Sequence, residues 1–272
     1  MKYSFMSFSC PELDVPGLIE TARRHGYDGV EPRVEAGHAH GIEVAADRTA
    51  RRRIRQAFAA GGIELACLAT SCCYSDPAER EKQVDQTRRY IQLAADLGCP
   101  RLRVFGGGIK GGLTREEAVT QLAESLLAVA DFAGRNQVRV CLETHDDWCN
   151  PADVVAVMRR VDHAWIGVNW DVMHPVRTRH GTMADAYAAL KPWIHHAHIH
   201  DCAGYGDNIV FVPVGQGIID NRLALHLLTE LGRELFLSFE WFNMGPHEQH
   251  LPTGLATMKA YESTVQPEGV RS

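Results

Sequence analysis

No uncharged apolar run in the sequence approaches the roughly 20 residues that a membrane-spanning helix needs, which excludes a helical membrane span. The opening MKYSFMSFSCPEL has no apolar core followed by a small-residue cleavage site, so it does not read as a secretory signal. Basic tracts are scarce too. Lys and Arg number 28 against 34 Asp and Glu, a formal net charge of -6. A nucleic-acid partner draws much of its affinity from a basic surface that neutralises phosphates, and none is offered. The one dense cluster, Arg51-Arg52-Arg53 with Arg55, lies in a helical pattern and reads as a solvated helix face. The 8 cysteines show no CxxC spacing, and several sit in apolar runs such as ELACLAT and VRVCLET. Packed, reduced thiols are expected, as in a cytoplasmic protein. No low-complexity linker or composition break divides the chain, so one domain over 1–272 is expected, without membrane or nucleic-acid partners. A homo-oligomer stays open.

What is present is an alternation of short apolar runs with longer amphipathic stretches. Strand-like runs fall at 3–9, 28–33, 63–70, 101–107, 138–144, 164–171, 193–201 and 234–241. Helical patterns lie at 11–25, 47–60, 77–97, 115–135, 151–160, 182–190, 218–231 and 251–264. Asp76-Pro77 and Asn150-Pro151 read as helix starts, a capping residue followed by a helix-compatible proline. Thr114 with Glu117 reads as a capping box, and Gly26, Gly61, Gly98 and Gly232 as helix stops. Alternating strands and helices imply a parallel sheet, since parallel strands need a crossover. Eight such units in this length fit an α/β fold of the (β/α)8 TIM-barrel type better than an open doubly wound sheet. The dinucleotide fingerprint of the open sheet is missing as well: SFSCPELD follows the first strand, and the GGG of FGGGIK lacks GxGxxG order. That glycine run reads as a flexible loop near the site.

In a barrel of this kind the working groups stand at the C-terminal ends of the strands. Those ends present Glu143 in CLETHDDW, Asp171 in VNWDVMH, His198 in HAHIHD and Glu240 in LSFEW. They follow one another at 28, 27 and 42 residues, close to one βαβ repeat each, with GYGDNIVFVPVGQG lengthening the last. Three carboxylates and one imidazole converging on one point form a hard, oxygen-rich donor set, expected to bind one divalent metal ion. Mn2+ heads the expected ions, with Mg2+, Co2+ and Zn2+ as alternatives. Without a dication the three carboxylates would repel strongly. His196, His198 and His200 alternate along one strand and share a face, so spacing alone does not choose among them. The turn that follows Asp201 puts the strand end near His200 and leaves His198 level with the other ligands. Trp148, Trp170, Trp193, Trp241 and Phe242 cluster near strand ends, where they can wall a binding site or pack the barrel rim; Phe5 and Phe8 share that ambiguity.

With these residues in view, the chain resembles the xylose isomerase-like TIM-barrel superfamily of sugar phosphate isomerases and epimerases over nearly its whole length. GYDGVEPR resembles the family's second strand, LRVFGGG its fourth and HIHD its H-[LI]-K-D. PVGQGIIDN is similar to its P-[LV]-G-x-G-x-[IV]-D loop, and ELFLSFEW to its closing strand. The resemblance implies Glu143, Asp171, His198 and Glu240 as metal ligands, with His200 where a lysine is usual. It also implies His174, three residues after Asp171, as a group that holds substrate. Two departures stand out. Cys149 and Gly204 occupy positions where the ketose 3-epimerases carry a Glu and an Arg that read ketose hydroxyls.

The expected activity is that of a metal-dependent sugar isomerase or epimerase acting on a small polyhydroxy carbonyl compound. Glu143 and Glu240, implied by the resemblance, serve as the acid/base pair for α-proton abstraction through an enediolate. His145 and His174 are expected to orient hydroxyls, with Glu31, Arg103, His200 and Lys110 as further substrate-binding candidates. Each of the last group has a simpler role open to it: Glu31 and Arg103 in buried ion pairs, Lys110 as a loop charge. The alternative is a lyase that expels a β-hydroxyl from a keto-sugar or keto-inositol after the same first step. An apurinic endonuclease fits less well, since Ile209 and Phe211 replace the Asp-x-His pair of those enzymes. A non-catalytic binding module would be expected to have lost ligands, and all four are kept.

Overall fold

The computed structural model describes residues 1–242 and 244–264; positions 243 and 265–272, the last eight of the expected domain, lie outside the described residues. The main-sheet strands are β1 (Lys2–Met6), β2 (Gly29–Glu31), β3 (Glu64–Leu65), β4 (Leu68–Cys73), β5 (Arg101–Phe105), β6 (Arg139–Glu143), β7 (Ile166–Asp171) and β8 (Ile194–Ile199). After a hairpin of β9 (Asp201–Ala203) and β10 (Val210–Val212), β11 (Phe236–Phe239) completes the sheet. The nine strands of the sheet run in the order β3-β2-β1-β11-β8-β7-β6-β5-β4, each pair parallel. They make eight staves, because β3 and β4 are successive halves of one. The run 63–70 reads as a single strand, but it breaks at Ala66 and Cys67, so β3 pairs with β2 and β4 with β5. An isolated parallel bridge from Arg33 to Ala69 closes the ring. The result is a TIM barrel.

The helices between the staves are α1 (Val15–His25), α2 (Arg48–Gly61), α3 (Arg80–Leu97), α4 (Arg115–Asn136), α5 (Pro151–Val161), α6 (Met173–Arg177), α7 (Met183–Leu190), α8 (Asn221–Glu230) and α9 (His247–Thr264). Two of the expected starts form as read. Asn150 accepts from Ala152 N ahead of Pro151, and Thr114 with Glu117 forms a capping box. Asp76-Pro77 does not start α3; Asp76 Oδ1 instead accepts from Ala78 N in a turn, and the helix begins at Arg80. Gly26 and Gly98 end their helices in the left-handed conformation as expected, whereas α2 is closed by Gly62 and runs through Gly61. The short α6 was not foreseen.

The barrel has two contrasting layers. Outside the staves, Leu, Val, Ile and Ala from strands and helices form one buried apolar core. Inside, the inward positions are polar: Ser4, Glu31, Arg103, Glu143, Asn169, Asp171, His196, His198 and Ser238 are all buried. Strand periodicity produces this split, because alternate residues face opposite sides. All 8 cysteines are unpaired, seven of them buried. No described helix is long and apolar enough to cross a membrane.

The expected flexible glycine loop is instead tied down. Gly106 O accepts from Tyr74 N and Ser75 N, and Gly107 O accepts from Trp148 Nε1 at 3.0 Å. A Cβ on Gly106 would lie 2.0 Å from the Trp148 ring, so the glycine exists to admit the indole. Trp148, Trp170 and Trp241 are likewise buried packing groups. Phe5 packs edge-on against Tyr27, while Phe8 pairs with Phe242 at 4.5 Å at the mouth of the barrel.

Candidate metal centre

Glu143 and Asp171 end β6 and β7, His198 lies within β8, and Glu240 follows β11 by one residue. The staves are staggered. His198 is in register with Asp171 and Ser238, and Glu143 with Asn169. The stagger nevertheless brings the four side chains together: one potential ligand atom from each lies within 4.8 Å of the others. All four are buried.

His198 sits at the hub. Its Nδ1 lies 2.9 Å from Glu240 Oε2 and 3.3 Å from Glu143 Oε1, and its Nε2 lies 3.0 Å from Glu31 Oε1. Burial would lower the His198 pKa, but Glu31, Glu143 and Glu240 hold it well above the usual histidine value. Burial would raise Glu240, yet His198 draws it down to about 2. Arg103 Nε lies 3.0 Å from Glu143 Oε2, an ion pair with both side chains buried, while Arg103 Nη1 donates to Thr70 O.

Glu31, expected at the substrate, lies on the far side of His198. It is fully buried and spends one oxygen on His198 and the other on His196, whose Nε2 is 2.7 Å away. Burial would raise its carboxyl, but the two imidazoles hold it well below the usual value. Arg103 is similarly internal, stacked on Phe105 at 3.9 Å, so neither residue has an open face for substrate.

A second group surrounds Asp171. Its Oδ2 meets His200 Nε2 at 2.5 Å and His174 Nε2 at 3.7 Å, and its Oδ1 accepts from Met173 N and His174 N. Burial would raise the Asp171 carboxyl, but His200 and His174 drive it below the ordinary carboxylate range. Burial pushes His174 down to about 4 despite Asp171, whereas His200, also buried, is raised by the same carboxylate. His145 stacks edge-on against His174 at 4.3 Å, and Asp146 with Glu143 raises it against the effect of burial.

A cavity of about 290 Å3 opens here, lined by His145, His174, His200 and Glu240 together with residues the sequence reading did not single out. These are Met173, Arg177 and Asp207; Phe242 and, from the β9–β10 hairpin, Ile209 and Phe211 complete the lining. Two signals pointed to them. Arg177 stands one helical turn after His174, and the alternation in NIVFV after GYGDN is a hairpin pattern. Lys110 is not drawn into the cavity lining; it is exposed and lies 3.6 Å from Asp76. Cys149 is buried with Sγ toward Asp146 O. Gly204 has φ 93° in the hairpin turn, where a Cβ would lie 2.7 Å from Asn208 O.

The donor set fits a divalent ion. Three buried carboxylates face one another, and His198 Nδ1 stands between Glu143 and Glu240 where a cation would be shared. Metal-binding histidines commonly anchor their other ring nitrogen on a carboxylate, and Glu31 supplies that anchor from below. These residues could hold a metal ion.

The fold is shared with known proteins. Chains of solved structures with the same fold include the probable 3-DHS dehydratase AsbF involved in petrobactin synthesis from Bacillus anthracis, with TM-score 0.80, 20% identity and coverage of 95% of this chain and 99% of that one. They also include a D-psicose 3-epimerase in the presence of D-fructose, with TM-score 0.78, 18% identity and coverage of 96% and 99%. A xylose isomerase-like TIM barrel protein from Mycobacterium smegmatis in complex with magnesium has TM-score 0.71, 18% identity and coverage of 97% and 98%. A search of curated proteins gave no match. Residues 19–261 match the family described as xylose isomerase-like TIM barrel, and the chain belongs to that family.

Proposed function

We propose that the protein is a metal-dependent isomerase or epimerase that exchanges the proton beside the carbonyl of a small, polyhydroxylated substrate. The convergence of Glu143, Asp171, His198 and Glu240 beside a cavity of sugar-like dimensions carries this reading. A divalent ion held by the four, Mn2+ before Mg2+, Co2+ or Zn2+, supplies Lewis-acid polarisation of the carbonyl and acidifies the adjacent C–H.

Glu240 is the ligand that lines the cavity. Its Oε2 is engaged by His198, while no described residue bonds its Oε1, which suits that oxygen to accept the substrate proton. Glu143 is the second acid/base group, held in place by Arg103 and His198. His174, His145 and His200 stand around the substrate and orient its oxygens, while Ile209, Phe211 and Phe242 exclude water from one side.

One observation favours a lyase as the second reading. His145 lines the cavity and is held protonated more readily than an ordinary histidine, which suits it to donate to a departing β-hydroxyl. The test is incubation with ketoses, keto-inositols and 3-keto sugars in D2O with Mn2+, followed by NMR. Deuterium at the epimerised carbon supports the isomerase, and loss of water with enone absorbance supports the lyase. Uptake at the wild-type rate in Glu240→Gln would remove Glu240 from its role, and neither exchange nor loss of water with any substrate would defeat both readings.

A further inference from the structure

We infer that Arg177 is a positioning residue that locks the His174 ring in one tautomer, with its proton on Nε2 facing the cavity. Arg177 Nε lies 2.7 Å from His174 Nδ1. A guanidinium only donates, and it keeps its charge in proteins, so Nδ1 must be the unprotonated acceptor. A proton on Nδ1 would set two N–H groups against each other at that distance. The ring's one proton therefore sits on Nε2. That atom is 3.7 Å from Asp171 Oδ2, beyond hydrogen-bond reach, so its hydrogen remains available to the cavity that His174 lines.

Arg177 is itself held. Its Nη1 donates to Gly206 O at 2.7 Å, and Gly206 N donates back to Arg177 O at 2.8 Å. At the other end, Asp171 Oδ1 accepts from the backbone N–H groups of Met173 and His174. A continuous set of contacts thus runs from a proposed metal ligand through His174 and Arg177 to the turn of the β9–β10 hairpin. The same hairpin contributes Ile209 and Phe211 to the cavity. A hydrogen-bond donor fixed at His174 Nε2 selects substrates that place an acceptor there: a carbonyl, hydroxyl, alkoxide or carboxylate oxygen. An amino sugar with an ammonium at that position is rejected. Only this last step, the identity of the group addressed, rests on the proposed function.

The tautomer is read directly from long-range 1H–15N correlation spectra of histidine-15N protein at neutral pH, with His174→Gln assigning the ring. The expected result is Nε2 protonated and Nδ1 bare in the wild type. Arg177→Met should shift the ring toward the other tautomer, while Arg177→Gln, whose amide N–H can still donate, should restore it. With a substrate that turns over, Arg177→Met should lower kcat by roughly 100-fold with little change in KM, and Arg177→Gln should recover much of it. A wild-type spectrum with the proton on Nδ1 overturns the inference even if Arg177→Met fails to fold. An unchanged tautomer in folded Arg177→Met overturns it as well. The spectra need no substrate, so failure of the proposed reaction and failure of this inference give different results.

Discussion

Two clusters of identical composition, one carboxylate with two imidazoles, sit in this barrel and differ in their access to the cavity. Glu31 with His196 and His198 is sealed beneath the candidate metal centre; Asp171 with His174 and His200 stands beside the cavity. Each holds one imidazole above and one below the usual histidine value: His198 and His196 in the first, His200 and His174 in the second. Charge chemistry alone does not distinguish them. Access does. Glu31 has both oxygens on histidines and reaches the site only through His198, whereas Asp171 is itself a candidate ligand and both of its histidines line the cavity. Under the proposed function, the first cluster supports the metal and the second faces the substrate.

The largest effect should come from breaking the sealed cluster. Glu31→Gln leaves a buried imidazole without its carboxylate and is expected to cost about 3–5 kcal/mol of stability. The same variant should weaken metal binding by about 10- to 100-fold, as loss of a ligand's supporting carboxylate does. Urea unfolding and calorimetric metal titration measure the two, and wild-type values in both would show that Glu31 supports nothing.

The stability difference also has a pH signature. The two imidazoles hold the Glu31 carboxyl well below the usual carboxylate range in the folded protein. Its contribution is therefore fully present above the unfolded value and is lost as pH falls through the folded one. The gap in stability between wild type and Glu31→Gln should narrow in acid below the unfolded value, and a gap that widens there contradicts the assignment.

At the cavity cluster the effect should fall on activity instead. His174→Gln is expected to lower kcat by about 100-fold with metal affinity and unfolding midpoint little changed. Equal losses of affinity and activity would erase the contrast between the clusters. The smallest effect is expected at Lys110, which is exposed and faces Asp76. Lys110→Ala should leave kcat/KM near wild type; a large loss would mean that its loop folds over the substrate.

The architecture was legible in the sequence because periodicity encodes it. Alternating apolar runs and capped amphipathic helices specify a parallel barrel without knowledge of any contact. The break at Ala66 and Cys67 was not legible, since both residues suit an unbroken strand and both are buried. The four candidate ligands could be picked out because a strand end is a local property shared by successive repeats, and the fold brings them together. The place of Glu31 could not: its partners lie 165 and 167 residues away, and only closure of the barrel puts it beneath His198. Arg177 was missed for a related reason. Its bond to His174 is local, but the hairpin turn that holds it lies 29 residues on, and only the fold brings the two together.

One cation shared by four side chains is the centre of the proposed function, and metal stoichiometry tests it most directly. Purified protein loaded with Mn2+ and freed of excess should retain one ion per chain, and His198→Ala, folded by circular dichroism, should retain almost none. A wild-type chain that holds no divalent ion, or a His198→Ala chain that holds it as tightly as the wild type, would contradict the account.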